Sequence, residues 1–255
     1  PYIRQQLAPG KPFGLGLRIA NEASLALSKP EVLQAFKNWL HEHDIYVFVI
    51  NGFPYGDFHN SVVKDQVHTP DWTTPDRLAY TIRLFRILTD LLPNGMEGGV
   101  STPPLSYRLW WKTDQEKQQA TARATAHILL LLEELIQIEK ETGKFLHLDI
   151  EPEPDGIFDS TRDFVTWYED TLLPEGTAYL QDKLNISSEA ARALILKHIQ
   201  LCYDICHAAV GYEQPAEILA SLAHVGIQVG RIQISSALKV DFTTESELKY
   251  SAIQT

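Results

Sequence analysis

The stretch Lys144-Phe-Leu-His-Leu-Asp-Ile-Glu-Pro-Glu-Pro154 runs an apolar segment straight into a group of acids and two prolines. Phe145, Leu146, Leu148 and Ile150 interleave with His147 and Asp149, and Pro152 cannot continue a central strand, so pairing is predicted to end near Glu151. Side chains alternate along a strand, which sends His147, Asp149 and Glu151 the same way. A strand that stops in carboxylates is how a parallel α/β enzyme presents acid–base groups or metal ligands. For any lone Glu, a solvated acidic loop is the competing reading; against it stands the fact that other strand-like runs of this chain also end in polar residues.

Tyr203-Asp-Ile-Cys-His207 is a second such end. Asp204 and His207 are three positions apart and face opposite ways on an ideal strand, so both reach one site only if His207 lies past the strand end or at a bulge. Taken alone, the pair reads equally well as a strand-end Asp with a core His. Glu151, Asp204 and the amide oxygen of Gln233 together make a hard-ligand set suited to magnesium or manganese; zinc is the choice if His207 coordinates directly. The loop Asn51-Gly-Phe-Pro-Tyr-Gly-Asp-Phe-His-Asn60, followed by Lys64 and Trp72, is long, aromatic and glycine-rich. Loops of this kind form lids over polar ligands, which makes Asn51, His59 and Lys64 candidate substrate contacts, although a surface loop packed under its own aromatics fits as well.

Other chemistries fit poorly. There is no Gly-x-Ser-x-Gly elbow, and Glu151 and Glu153 are too close in sequence to flank a glycosidic bond from opposite sides. Cys202 and Cys206, the only two cysteines, are about 13 Å apart along an extended strand, too far to bridge. They read as buried thiols of a reducing compartment, without a metal or redox role at this spacing.

Positioning these residues requires a sheet. Six strand-like runs, at 13–19, 45–50, 98–101, 145–150, 199–205 and 230–235, alternate with helical patterns, which argues for parallel βα units. Ser28-Lys-Pro-Glu31 reads as a capping box before 32–40, and Thr74-Pro75-Asp76 as a cap with a first-turn proline. A long helix from Asp114 is predicted to end at Gly143, two helices are expected in 161–198 with a break at Leu173-Pro-Glu-Gly176, and a last one runs from Gln214 to Gly226. The six histidines at 41, 43, 68, 127, 198 and 224 fall on helices or loop flanks and read as structural or exposed. Gly14-Leu-Gly16 lies inside a strand, so no dinucleotide-binding turn is present. No linker divides the 255 residues, and 1–255 reads as one domain: an open doubly wound sheet, or a (β/α)8 barrel lacking a unit at each end.

The net charge of −11 and the lack of a Lys/Arg run speak against nucleic acid and anionic membranes as partners. No apolar run is long enough to span a bilayer and no signal peptide is visible, so no membrane insertion is expected.

In combination, Asn51-Gly-Phe-Pro-Tyr-Gly56, Lys64-Asp-Gln-Val-His-x-Pro-Asp-Trp72, Gly99-Val-Ser-Thr-Pro-Pro-Leu-Ser106, Asp149-Ile-Glu-Pro-Glu-Pro154, Cys202-Tyr-Asp-Ile-Cys-His207 and Gln233-Ile-Ser-Ser-Ala-Leu-Lys239 resemble the EboE family of metabolite traffic proteins. That family belongs with the xylose isomerase-like, sugar phosphate isomerase/epimerase TIM barrels. The resemblance implies a (β/α)8 TIM barrel shortened at both ends in this chain, and a cytoplasmic protein of a secondary-metabolite export operon. In that superfamily a divalent metal, manganese, magnesium or zinc, sits among strand-end ligands. Carried over by position, Glu151 and Asp204 match two ligands, Gln233 stands where a third is usually His, and His207 matches a substrate-contacting His. A last carboxylate has no counterpart. The activity implied is a metal-dependent isomerase or epimerase of a sugar-like or sugar-phosphate substrate, with Glu151 exchanging a proton, His207 and Lys64 holding ligand oxygens, and Asn51 and His59 shaping the pocket. The alternative is a non-catalytic carrier that keeps the barrel pocket for a small-molecule metabolite.

Overall fold

The computed structural model describes residues 2–56 and 64–239. Strands β1 (Phe13–Arg18), β2 (Ile45–Asn51), β3 (Gly98–Thr102), β4 (Leu146–Ile150), β5 (Ile199–Asp204) and β6 (Val229–Gln233) form one parallel sheet in chain order. Each lies within a residue or two of the apolar run that predicts it. The helices are α1 (Tyr2–Leu7), α2 (Asn21–Leu27), α3 (Pro30–Glu42), α4 (Pro75–Leu91), α5 (Asp114–Thr142), α6 (Thr161–Trp167), α7 (Leu173–Leu184), α8 (Ser188–His198), α9 (Ile205–Val210) and α10 (Pro215–Val225).

Parallel neighbours in sequence order, each joined by a helical return, curl into a barrel wall. The curl is strong: Arg231 on β6 reaches back to Ser101 on β3 and donates to its hydroxyl at 3.1 Å. Among the described residues the six strands make a half-barrel, compatible with an incomplete TIM barrel. No helix among them is long and apolar enough to cross a membrane.

The long helix α5 shows how sequence sets an element. Thr113 and Glu116 close a reciprocal capping box at its start, and Gly143, at φ 70, ends it with its N–H on Glu139 O. Ala120, Ala124, Ile128, Leu131, Leu132, Leu135 and Ile138 form its buried stripe. Each large side chain buried there contributes roughly 1.5–3 kcal/mol.

Two local expectations are corrected. Ser28 does not cap α3: it closes α2, its hydroxyl donating to Ser24 O at 2.9 Å, and Lys29 precedes α3 without a side-chain cap. Nor does Leu173-Pro-Glu-Gly176 interrupt the chain's helical path. A π turn over Tyr168–Leu172 leads into α7, where Pro174 occupies the first turn and needs no N–H partner. The break falls instead at Asn185, which takes φ 53, so 161–198 holds three helices.

Candidate functional site

Glu151 follows the last residue of β4, anchored by its N–H on Thr102 O at 3.0 Å. The residue is 4% exposed at the strand ends. Burial, and then the charges of Glu153 and Asp204, push its pKa up to about 8, with Arg231 and a hydrogen bond from Gln233 pulling the other way. Oε1 lies 3.6 Å from His207 Nδ1 and Cys202 Sγ lies 3.6 Å from Oε2.

The junction of β5 and α9 resolves the facing problem posed by the sequence. The strand stops at Asp204, whose Oδ1 caps the following helix by accepting from Cys206 N at 2.9 Å. Residues 204–207 therefore turn instead of alternating, and Asp204, Cys206 and His207 converge, each offering a ligand atom within 4.8 Å of the others. Asp204 Oδ1 also accepts from Ser235 Oγ at 2.5 Å, and Oδ2 from Gln233 Nε2 at 3.0 Å. Burial works against the Asp204 charge, but the Ser235 hydroxyl, His207 and the Cys206 N–H outweigh it and hold the carboxyl below its ordinary range. Cys206 is half-buried and unpaired, and burial together with the neighbouring carboxylates pushes its thiol up, which disfavours a nucleophilic thiolate. His207 Nδ1 is shut off from solvent without a hydrogen-bond partner among the described residues.

Beneath this rim the concave face of the sheet is polar. His147 Nδ1 and Asp149 Oδ1 are 2.6 Å apart and both residues are buried, as the alternation in β4 predicts. Space for them exists because the facing positions are glycine: a Cβ on Gly99 would stand 2.2 Å from Asp149 Oδ2, and one on Gly230 2.0 Å from Oδ1. Complete burial raises the Asp149 pKa, with His147 and Arg231 opposing.

Successive loops above the sheet are tied together. His68 Nε2 meets Glu153 Oε1 at 2.9 Å, Trp110 Nε1 donates to Asp65 Oδ2 at 2.8 Å, and Tyr107 bridges to Gly156. His68, read from sequence as structural or exposed, is 3% exposed and lies among Phe53, Tyr107 and Trp110. A slot of about 10 Å³, space for about one water, is lined by Pro152, Thr161, Asp204, His207 and Glu213. A groove of about 350 Å³ between α6 and α10 shares Thr161 and Glu213 with it.

Of the candidate residues, Glu151, Asp204, His207 and Gln233 therefore meet. Asn51 does not join them: its Oδ1 accepts from Phe53 N at 3.0 Å and shapes the start of its own loop. His59 lies outside the described residues, as does the side chain of Lys64, which opens a 3-10 turn, Lys64–His68. Sequence reasoning set Cys206 aside on its spacing from Cys202, taken along an extended strand. The available signal was Asp204 two residues before Cys206, a helix-capping spacing. The Glu153–His68 pair joins residues far apart in the chain and leaves no local trace.

No protein-family model matches this chain, and no curated protein matches it. Among solved structures it is similar to the apo crystal structure of 3-keto-D-glucoside 4-epimerase, YcjR, from E. coli, at 11% identity and a TM-score of 0.43, covering 94% of this chain and 88% of that one.

Proposed function

We propose that this chain is an EboE-like, xylose isomerase-like protein acting as a divalent-metal-dependent isomerase or epimerase on a sugar-like or sugar-phosphate substrate. The supporting observation is the meeting of a buried, like-charge-strained Glu151 with Asp204, His207 and Gln233 at adjoining strand ends. The residues fit a cation: the charges of Glu153 and Asp204 bear on the buried Glu151, and the shielded His207 Nδ1 makes no hydrogen bond among the described residues, with Glu151 Oε1 at 3.6 Å. Glu151 and Asp204 would hold it, with Gln233 beside them. A divalent cation so placed polarises a carbonyl and its neighbouring hydroxyl.

The protein's own groups do the rest. In the metal-free chain burial and like charge raise the Glu151 pKa to about 8; a bound cation would lower it, leaving a carboxylate placed to take a proton from a carbon next to a carbonyl and return it. Asp204 stays ionised because three donors fix its oxygens. His207, 25% exposed in its side chain, is placed to donate to a substrate oxygen.

The test is exchange of solvent deuterium into D-fructose, D-fructose 6-phosphate and related ketoses by metal-stripped protein with and without manganese, alongside Glu151→Gln. Metal-dependent exchange abolished in the variant is expected; exchange indifferent to both changes refutes the reading. A carrier function is the second reading, favoured by Gln233, whose amide N–H is engaged by Asp204 where an imidazole would ligate. Thermal stabilisation by a metabolite, with no exchange under any condition, would select it.

A further inference from the structure

The ligand set left by Gln233 is short of a third strong donor, and the turn after β5 contains one. Asp204, Cys206 and His207 lie within one capped turn of four residues, so local backbone holds them close. Their ligand atoms lie within 4.8 Å of one another. Tetrahedral zinc, with bonds of about 2.0–2.3 Å, needs ligand atoms about 3.4–3.8 Å apart, so binding would draw the three atoms together by about 1 Å.

The surrounding groups behave as a supporting layer. Gln233 Nε2 and Ser235 Oγ donate to the two Asp204 oxygens, orienting the carboxylate as outer partners of a metal ligand do. On this arrangement Gln233 is a positioning residue rather than a ligand. The state of His207 also points to a ligand at this place: its Nδ1 atom is sealed from solvent and makes no hydrogen bond among the described residues, with Glu151 Oε1 at 3.6 Å.

We infer that Cys206 is a metal ligand, and that Asp204, Cys206 and His207 form a three-residue site for a zinc-class cation with a fourth position open. This rests on the divalent-metal reading above and deepens it by replacing an all-oxygen set with an oxygen–sulfur–nitrogen one. A thiolate selects zinc or cobalt over magnesium and manganese. Glu151 Oε1, 3.6 Å from His207 Nδ1, adjoins these three ligands, and its carboxyl serves for proton transfer.

Cobalt(II) titration of the metal-free full chain, followed by absorption, tests the assignment without an activity assay. An intense near-ultraviolet sulfur-to-cobalt charge-transfer band, erased by added zinc and missing in Cys206→Ser, is expected. Cobalt bound with only weak visible bands overturns the cysteine ligand while leaving the oxygen-ligand reading intact; no cobalt bound overturns both. A band that survives in Cys206→Ser also refutes the assignment. Should Cys206→Ser fail to fold, site-resolved alkylation of the wild-type chain decides: zinc is expected to slow modification of Cys206 about tenfold or more, and equal rates with and without zinc refute it.

Discussion

Glu151 makes metal-free protein lose stability as pH rises. In the folded chain its carboxyl keeps its proton up to about pH 8, whereas the reference value is 4.5. Over that window the folded state holds more protons than the unfolded state, so the stability present below pH 4.5 is progressively lost as pH climbs through about 8. The interval from 4.5 to about 8, at about 1.4 kcal/mol per pH unit, amounts to about 5 kcal/mol. Gln at this position keeps the shape of the protonated acid and cannot ionise. Urea unfolding of metal-stripped wild type and Glu151→Gln across this pH range isolates the effect, because every other group titrates in both proteins. The two should be nearly equal in acid and diverge by several kcal/mol at the alkaline end, the variant being the more stable. Parallel stability profiles would show that Glu151 ionises normally and would remove the physical basis for its proton-transfer role.

Three further outcomes follow from the packing. Gly99→Ala drives a methyl against Asp149 Oδ2 and His147, and should cost about 1–3 kcal/mol in urea unfolding; an unchanged midpoint would mean the pair moves freely. Tyr168→Phe removes a buried hydroxyl that donates to Ile199 O at 2.8 Å, a loss of about 1–2 kcal/mol readable as a lower Tm. Gly143→Ala forces a Cβ into the left-handed region at φ 70 and should cost about 1 kcal/mol, with circular dichroism melting as the check.

Strands were legible because each is a short apolar run closed by polar residues, and in a parallel sheet those closures gather at one end. The alternation in β4 was enough to place His147 and Asp149 together. Less was legible at the β5 end, where the apolar run carries the predicted strand to Ile205, one residue past its stop at Asp204. Six residues of α9 carry too little periodicity to announce a helix, and only the Asp204 cap marks its start. Ser28 illustrates the converse: it satisfies the capping-box pattern, but α2 already claims it. His68 could not be assigned locally, since its partner Glu153 arrives from another loop.

The two glycines facing Asp149 act as the halves of a mould. A side chain at either one and an acid between them exclude each other sterically. Across sequences that share this sheet, positions 99, 149 and 230 should therefore change together as a block, a correlated signature that would mark relatives retaining the same acidic interior even where the rest of the chain has drifted beyond easy alignment.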